Sequence, residues 1–191
     1  MTTTTYNDID KHSVQLRLAT SQDVKQVVDL LNRCYRCDEG WTNEAALIGG
    51  IRTTPSQIQA MIDSPDAYLF VFDNPNDDQD IVGCISVDFS AINHQPAAYI
   101  GTFAVNPRLQ GKGIGDVMLS AVETFATRHA RAKNLGYISM SILSHPPELL
   151  AYYQRRGYQL TGETMPFPTD GNHGAPKHDG LFLALLNKPM H

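Results

Sequence analysis

The stretch QGKGIG, from Gln110 to Gly115, places three glycines within six residues. It follows the apolar run YIGTFAV (99–105), which is typical of a strand, and it precedes a run whose apolar residues recur at helical spacing. Glycines at the start of a helix expose successive main-chain N–H groups, and the helix dipole favours negative charge at the same place. The stretch therefore predicts a strand–turn–helix unit that binds an anion, for which a diphosphate is well suited.

Three other interpretations of this stretch are possible. The P-loop pattern G-x-x-x-x-G-K-[ST] is not matched here. The dinucleotide pattern G-x-G-x-x-G starts at Gly111 and Gly113 but fails at its third glycine, where Asp116 stands. A bare tight turn, in which glycine only permits unusual main-chain angles, explains one glycine better than three. We therefore favour a diphosphate site, to which Lys112 and Arg108 add positive charge.

Composition narrows the class of protein. A chain of 191 residues with 42% hydrophobic and 18% charged residues is typical of one globular domain. No apolar run approaches the ~20 residues of a membrane helix, and a net charge of −5 gives no global field for nucleic acid. We expect neither a membrane nor nucleic acid as a partner. Three cysteines are too few for a disulfide framework, and Cys34 and Cys37 fall in a helical pattern rather than at a redox turn.

The polar residues 1–13 lack the apolar core of a secretory signal, so we predict a flexible tail there and one domain over 14–191, in the cytoplasm. Periodicity along the chain predicts the order β-α-α-β-β-β-α-β-α-β-β. This order describes an α/β fold with a single mixed, mostly antiparallel sheet of about seven strands and flanking helices. Strict alternation in the strand 80–90 would place Ile81 on the same face as Ile85 and Val87.

The region around the glycines also carries a family resemblance. The stretch YIGTFAVNPRLQGKGIGDVML, followed by a strand and by LLAYYQRRGY, resembles the GNAT superfamily of acyl-CoA-dependent N-acetyltransferases. The family signature Q/R-x-x-G-x-G/A is met by Gln110, Gly113 and Gly115, and the order of elements is similar from Val14 to the C terminus. The resemblance implies acetyl-CoA as co-substrate and no metal. It implies that the diphosphate is bound by Gln110, Gly111, Lys112, Gly113, Ile114 and Gly115, and the pantetheine arm by the main chain of Phe103, Ala104 and Val105.

Acetyl transfer to an amine in a ternary complex requires a base for the amine and an acid for the departing thiolate. The stretch AYYQRRGY is similar to the family's Y-x-x-x-G-[FY] helix, which implies that Tyr153 faces the coenzyme sulfur and is the acid. The alternative is that both tyrosines are packed aromatics, which we favour for Tyr152. Many relatives carry an asparagine seven residues before this tyrosine, where this chain has Pro146, so that coenzyme contact is expected to be lost or replaced.

The acceptor side is expected in GWTNEAALIGGIRTTP (40–55). This stretch, with RRGYQLTGETMPFP (155–168), is similar to a subgroup of bacterial GNAT proteins that share GWT-x-E and RRGY-x-x-TGE-x-x-PFP. We interpret Glu44 as the general base, directly or through a water, and Trp41 and Arg52 as acceptor contacts, with Arg52 binding a carboxylate. In the alternative, Trp41 only packs, Glu44 opens a helix and Arg52 is solvated.

The sequence thus predicts a single-domain N-acetyltransferase whose acceptor is a small amine or an amino acid. A protein N-terminus or a lysine side chain, a non-catalytic acyl-CoA sensor, and a site for another nucleotide remain alternatives, and a homodimer is left open. The histidines His145, His173 and His178 have no acidic or cysteine partner at ligand spacing, so no metal is expected. The long stretch 163–180 is either a lid or a flexible insertion, and PFP (166–168) favours an ordered wall.

Overall fold

The structure of the chain, a computed structural model, describes residues 9–37, 39–41, 44–90, 96–143, 147–168, 171 and 173–190. The strands are β1 (Leu16–Leu18), β2 (Ile48–Gly49), β3 (Ala67–Asn74), β4 (Asp77–Asp88), β5 (Ala97–Val105), β6 (Tyr137–Leu143), β7 (Gln159–Pro166), β8 (Ala175–Pro176) and β9 (Phe182–Pro189). The helices are α1 (Val24–Arg36), α2 (Pro55–Asp63), α3 (Ile114–Lys133) and α4 (Pro147–Gln154).

Seven strands form one mixed sheet in the order β1-β3-β4-β5-β6-β9-β7. All neighbours in it are antiparallel except β5 and β6, which are parallel and joined through α3. This confirms the predicted α/β fold and its order of elements. Strands β2 and β8 form a separate two-stranded sheet that the sequence did not predict.

Helices cover both faces of the sheet, and each face has its own apolar core. On one face α3 contributes Met118 and Val122 to a core cluster that also contains Ile85 and Val87 of β4. On the other face α1 and α2 pack on β3 and β4. The helix α2 begins at a capping box: the main-chain N–H of Gln57 donates to the Thr54 side chain, and the main-chain N–H of Thr54 donates to the Gln57 side chain. Pro55 occupies the first position of the helix, where a proline is tolerated. The central strands of the sheet are therefore buried on both faces.

The prediction that Ile81 lies on the same face of β4 as Ile85 and Val87 is wrong. In the β3–β4 register Phe72 pairs with Gly83, but Asp73 pairs with Ile81, so Val82 is an extra residue. Such a bulge reverses the alternation of side chains. Ile81 accordingly packs in the α1–α2 core, whereas Val82 packs in the α3 core with Ile85.

The N-terminal segment differs from the loose tail predicted for residues 1–13. Ile9 is 3% exposed and belongs to the α3 core. Lys11–Ser13 form a 3-10 turn capped by Asp10. Residues 9–13 therefore pack on the domain, and residues 1–8 lie outside the described residues.

A cleft opens where β5 and β6 separate. The two strands pair only from Ala97 with Tyr137 to Tyr99 with Ser139. Further along β5, Thr102 has φ 49°, an uncommon value for a residue with a side chain. The register to β4 shifts at the same place, so that the strand bulges. Beyond Tyr99, the edge of β5 that faces the cleft therefore has no strand partner among the described residues.

None of the helices within the described ranges has the length and apolar character needed to span a bilayer.

Candidate active site

The cleft between β5 and β6 widens into a cavity of about 820 Å³. Its walls come from four places: the glycine turn before α3, helix α4, the segment between α1 and α2, and the segment between β7 and β8. The cavity lining includes Tyr35, Arg36, Trp41, Glu44, Arg52, Phe103, Val105, Gln110, Gly111, Gly113, Gly115, Asp116, Tyr152, Tyr153 and His173. The cavity thus brings most of the predicted site residues to one place.

Two of the three glycines of QGKGIG are required by the turn. Gly111 and Gly113 have φ 78° and 80°, in the left-handed region, and Gly113 is the N-cap of the 20-residue helix α3. Gly115 lies inside the helix, and a Cβ added there would make an ordinary contact of 3.5 Å with Cζ of Phe103. Turn geometry therefore explains two glycines, one more than expected from the sequence, and Gly115 has room for a Cβ. The first N–H groups of α3 have no partner within the helix, so they remain available to an anion.

The charges around this turn are arranged so that its one acidic residue is neutralised. Asp116, in the first turn of α3, is ion-paired with Arg156 and accepts a 2.8 Å hydrogen bond from the Tyr152 hydroxyl. The Arg156 guanidinium lies 3.5 Å from the centroid of the Tyr152 ring. A Cβ added to Gly113 would lie 3.4 Å from Cδ of Lys11, which places this cation beside the turn. Lys11 was missed because it lies in the predicted tail.

The side chain of Gln110 links the glycine turn to two neighbouring segments by hydrogen bonds. Its Nε2 donates to the carbonyl oxygen of Val105 at 3.0 Å, and its Oε1 accepts from the main-chain N–H of Trp41 at 2.6 Å. The Trp41 indole packs edge-on against Tyr152, with 5.5 Å between the ring centroids. Trp41 therefore lies beside the coenzyme turn predicted from the sequence.

The main chain of Phe103 and Val105 faces the cleft, as their contacts with its side chains show. The Phe103 carbonyl accepts from the Tyr35 hydroxyl at 2.5 Å, and the Val105 carbonyl accepts from Gln110. Ala104, between them, pairs with Cys84 of β4. The alternation leaves the polar groups of the two outer residues directed toward the cavity.

Tyr153 and Tyr152 have different environments. Tyr153 is 8% exposed, lines the cavity and packs edge-on against Tyr152 and Tyr158. Within the described residues its hydroxyl has no hydrogen-bond partner, and burial raises its pKa above the ordinary value. Tyr153 therefore stays protonated at neutral pH with its hydroxyl free, whereas the hydroxyl of Tyr152 is bound to Asp116.

Glu44 is a partly buried carboxylate in an ion pair with the buried Arg36. It lies 2.7 Å from Nη1 of Arg36, with exposed side-chain fractions of 18% for Glu44 and 6% for Arg36. Removal from water raises the pKa of Glu44, and the hydrogen bond from Arg36 opposes that rise. The residues after Glu44 form a turn and then β2, so Glu44 does not open a helix as its alternative interpretation required.

Arg52 faces the same cavity as Glu44. Its guanidinium lies 5.1 Å from the centroid of the Tyr35 ring, and Tyr35 is held in place by its bond to Phe103. In the described parts of the chain, no carboxylate or hydrogen-bond acceptor pairs with the Arg52 side chain. Tyr35 and Arg36 were missed by the sequence argument because they continue the ordinary pattern of α1.

The stretch between β7 and β9 lines one side of the cavity through Phe167, Pro168 and His173. Its β8 pairs with β2, and the carbonyl oxygen of His173 accepts from Arg36 at 2.8 Å. Gly174 has φ 83°, and a Cβ there would overlap the carbonyl oxygen of Gly49. The described residues of this stretch therefore form part of the cavity wall, and its role as a lid or as a flexible insertion stays a prediction. Glu163, which the sequence placed in the loop, lies in β7.

No group of three or more His, Cys, Asp or Glu side chains in the described ranges is arranged to hold a metal ion. His145 and Pro146, singled out in the sequence, lie outside those ranges.

Comparisons with known proteins agree with this geometry. Residues 24–158 match the model of the acetyltransferase (GNAT) family. The fold is shared with an N-acetyltransferase from Staphylococcus aureus Mu50 (16% identity, 94% of this chain and 99% of that one, TM-score 0.66). It is also shared with the spermidine/spermine N-acetyltransferase from Vibrio cholerae (14% identity, 94% of each chain, TM-score 0.62). A third structure with this fold is the ribosomal-protein-S18-alanine N-acetyltransferase from Escherichia coli (10% identity, 93% of this chain and 94% of that one, TM-score 0.63).

Among curated protein sequences, none matches significantly. The family model covers more than half of the chain, and the fold of the solved structures agrees with it. The chain belongs to the GNAT family of acetyltransferases.

Proposed function

We propose that this N-acetyltransferase uses acetyl-CoA to acetylate the primary amine of a small acceptor, an amino acid in particular. The observation that carries the proposal is that one cavity joins the glycine turn, the open edge of β5, the free hydroxyl of Tyr153 and the carboxylate of Glu44. An anion site, an extended channel, an acid and a base are the four parts that acetyl transfer from a thioester requires.

The residues present fit coenzyme A. A Cβ added at Gly111 would meet no atom within 4 Å, so the outer side of the turn is open to a diphosphate. The N–H groups of residues 111–115 would hold the diphosphate, since the N–H of Gln110 donates to the carbonyl oxygen of Pro107. The main chain of Phe103 and Val105 would hold the pantetheine arm, since Ala104 between them pairs with β4. When bound, the coenzyme supplies the acetyl group as a thioester.

The protein residues then move the protons. Glu44 accepts a proton from the acceptor ammonium, directly or through a water, which frees the nitrogen lone pair. As the C–N bond forms and the C–S bond breaks, Tyr153 donates its phenolic proton to the departing sulfur. The nitrogen loses its second proton as it becomes an amide; this proton restores the Tyr153 phenol, and the proton on Glu44 passes to water. Burial raises the pKa of Glu44, which makes it a better proton acceptor, and burial also raises the pKa of Tyr153, which keeps the phenol protonated at neutral pH.

Arg52 supports an acceptor that carries a carboxylate. A guanidinium at the cavity wall attracts an acid group, and its position over the Tyr35 ring fixes it without neutralising it. The wall formed by β2 and β8 favours a small acceptor over a protein chain. The solved relatives act on a polyamine in one case and on a ribosomal protein's alanine in another, by their descriptions, so the family fold leaves the acceptor open.

The proposal includes a cytoplasmic enzyme without nucleic acid or membrane as partner, and a homodimer remains open to measurement. A sensor that only binds acyl-CoA is the second candidate, since it would need the same turn.

The test is thiol release from acetyl-CoA with matched acceptors: amino acids, the same molecules lacking the carboxylate, polyamines, and peptides with a free N-terminus or lysine. We expect turnover with carboxylate-bearing small amines. Arg52→Gln should raise KM for these acceptors, by about tenfold if the pair contributes ~1.4 kcal/mol, and leave KM for acetyl-CoA unchanged. Arg52→Lys is the matched control that keeps the charge. Coenzyme binding without any turnover would favour the sensor, and a preference for polyamines or peptides would refute the acceptor class.

A further inference from the structure

The side chain of Gln110 is bonded to protein at both ends. Its amide nitrogen donates to Val105 and its amide oxygen accepts from the main chain of Trp41. These two bonds use one of the two amide N–H donors and the amide oxygen, so a single N–H is left for other contacts. The two bonds make Gln110 a link between three segments: the end of β5, the glycine turn, and the chain that follows α1.

The segment Gly40–Trp41 lies directly on the glycine turn. Gly40 has φ 83°, and a Cβ added there would lie 2.9 Å from Oε1 of Gln110 and 3.0 Å from Cβ of Pro107. Such a close approach leaves room only for glycine. The position of the next residue, Trp41, is therefore fixed by main-chain contacts and does not depend on its own side chain.

The indole of Trp41 is held at the rim of the cavity. It packs on Tyr152, whose hydroxyl would lie 3.8 Å from a Cβ on Gly115 and donates to Asp116 in the first turn of α3. The Trp41 side chain lines the cavity and is 47% exposed. A large aromatic ring held half-exposed at a cavity rim is a binding surface for apolar atoms.

We propose that Trp41 binds coenzyme A rather than the acceptor amine, and that Gln110 is the residue that positions it. The inference rests on the proposed use of acetyl-CoA. The indole covers the uncharged part of the coenzyme that adjoins its diphosphate, since the ring lies beside the glycine turn and carries no charge. This moves Trp41 from the acceptor site, where the sequence placed it, to the coenzyme site.

The chain contains one tryptophan, so its emission reports on this position alone. We expect coenzyme A, added as the free thiol, to change the emission of Trp41 in a saturable way, and an acceptor amine alone to leave it unchanged. The matched control is the double variant Trp41→Phe/Tyr137→Trp, which moves the indole to the start of β6. Tyr137 is also 47% exposed and is absent from the cavity lining. In this variant the coenzyme should leave the emission unchanged.

Two variants separate contact from positioning. Trp41→Ala removes the indole but keeps the main-chain N–H that donates to the Gln110 side chain. Gln110→Ala removes this hydrogen bond and keeps the indole. Each should weaken coenzyme binding by calorimetry, by about tenfold for ~1.4 kcal/mol, and raise KM for acetyl-CoA with little change in kcat. If Gln110 acts through Trp41, the double variant Trp41→Ala/Gln110→Ala should bind coenzyme A no more weakly than whichever single variant binds it more weakly. Additive losses would show that Gln110 contacts the coenzyme independently, which would overturn its positioning role.

The outcomes distinguish this inference from the proposed function. Absence of coenzyme binding in calorimetry would refute the proposed function itself. Binding by calorimetry with unchanged Trp41 emission, or an emission change produced by the amine alone, would overturn only the assignment of Trp41. A thermal melt of each variant checks that the loss of affinity is not a loss of folded protein.

Discussion

Alanine substitutions in the glycine turn should separate backbone strain from ligand binding. Gly113 has φ 80°, and a residue with a Cβ in the left-handed region is destabilised by ~1–2 kcal/mol. Gly115 is helical, and its added Cβ would make ordinary contacts of 3.5 Å to Phe103 and 3.7 Å to Val105. Replacing a helical glycine by alanine stabilises by ~0.5–1 kcal/mol. The two substitutions should therefore differ in sign, by ~1.5–3 kcal/mol in total.

The measurements are thermal unfolding and calorimetry with coenzyme A. For a chain of this size ~1 kcal/mol corresponds to about 2–4 °C in Tm, so Gly113→Ala should melt several degrees below Gly115→Ala. Gly113→Ala should also weaken coenzyme binding by at least about tenfold, because the altered turn no longer aims its N–H groups at one point. Gly115→Ala should keep binding within a few-fold, consistent with a family signature that accepts alanine there.

Gly111→Ala is the matched control for strain. It has φ 78°, and its added Cβ would meet no atom within 4 Å, so any loss of stability comes from the main chain alone. If Gly113→Ala were as stable as the unsubstituted protein and bound coenzyme A equally well, the assignment of this turn as the diphosphate site would be refuted.

Three further predictions concern the chemistry and the acceptor wall. Tyr153→Phe should lower kcat by ~10²–10⁴-fold without weakening coenzyme binding; a rate within threefold of the original would exclude the acid role. Glu44 is active when deprotonated, and Arg36 lowers its pKa, so Arg36→Gln should move the acidic limb of the kcat/KM profile to higher pH; an unmoved limb would contradict Glu44 as the base. Gly174→Ala should disrupt the β2–β8 pairing, because its Cβ would overlap the Gly49 carbonyl oxygen and lie 2.9 Å from Cγ2 of Ile48. Hydrogen exchange of the N–H groups in β2 and β8 should then accelerate and KM for the acceptor should rise, whereas unchanged exchange would show that the wall tolerates the substitution.

The sequence predicted those features that depend on local patterns. The spacing of apolar residues after Gly113 defined α3, and the handedness of crossover connections predicted that β6 runs parallel to β5. The glycine turn was recognisable because its main-chain angles and its position at a helix start are set within a few residues. Tyr153 could be named because the helix that carries it has a recognisable pattern.

The rest depends on contacts between residues far apart in the chain. Trp41 and Gln110 are 69 residues apart, and Arg36 and His173 are 137 apart, so no local pattern predicts either bond. The bulge at Val82 depends on the register chosen by β3, which alternation within one strand does not reveal. The same is true of β2 and β8, which are two residues each and exist only because they pair with one another.

The central claim, that the acetyl group of acetyl-CoA is transferred to an amine nitrogen, is tested most directly by following a labelled acetyl group. The protein is incubated with acetyl-CoA carrying a ¹³C-labelled acetyl group and the acceptor panel, and the products are identified by mass spectrometry. The account predicts a labelled amide of a small carboxylate-bearing amine, formed by the unsubstituted protein and lost in Glu44→Gln. Release of labelled acetate alone, or binding of the coenzyme with no labelled amide from any acceptor, would contradict it.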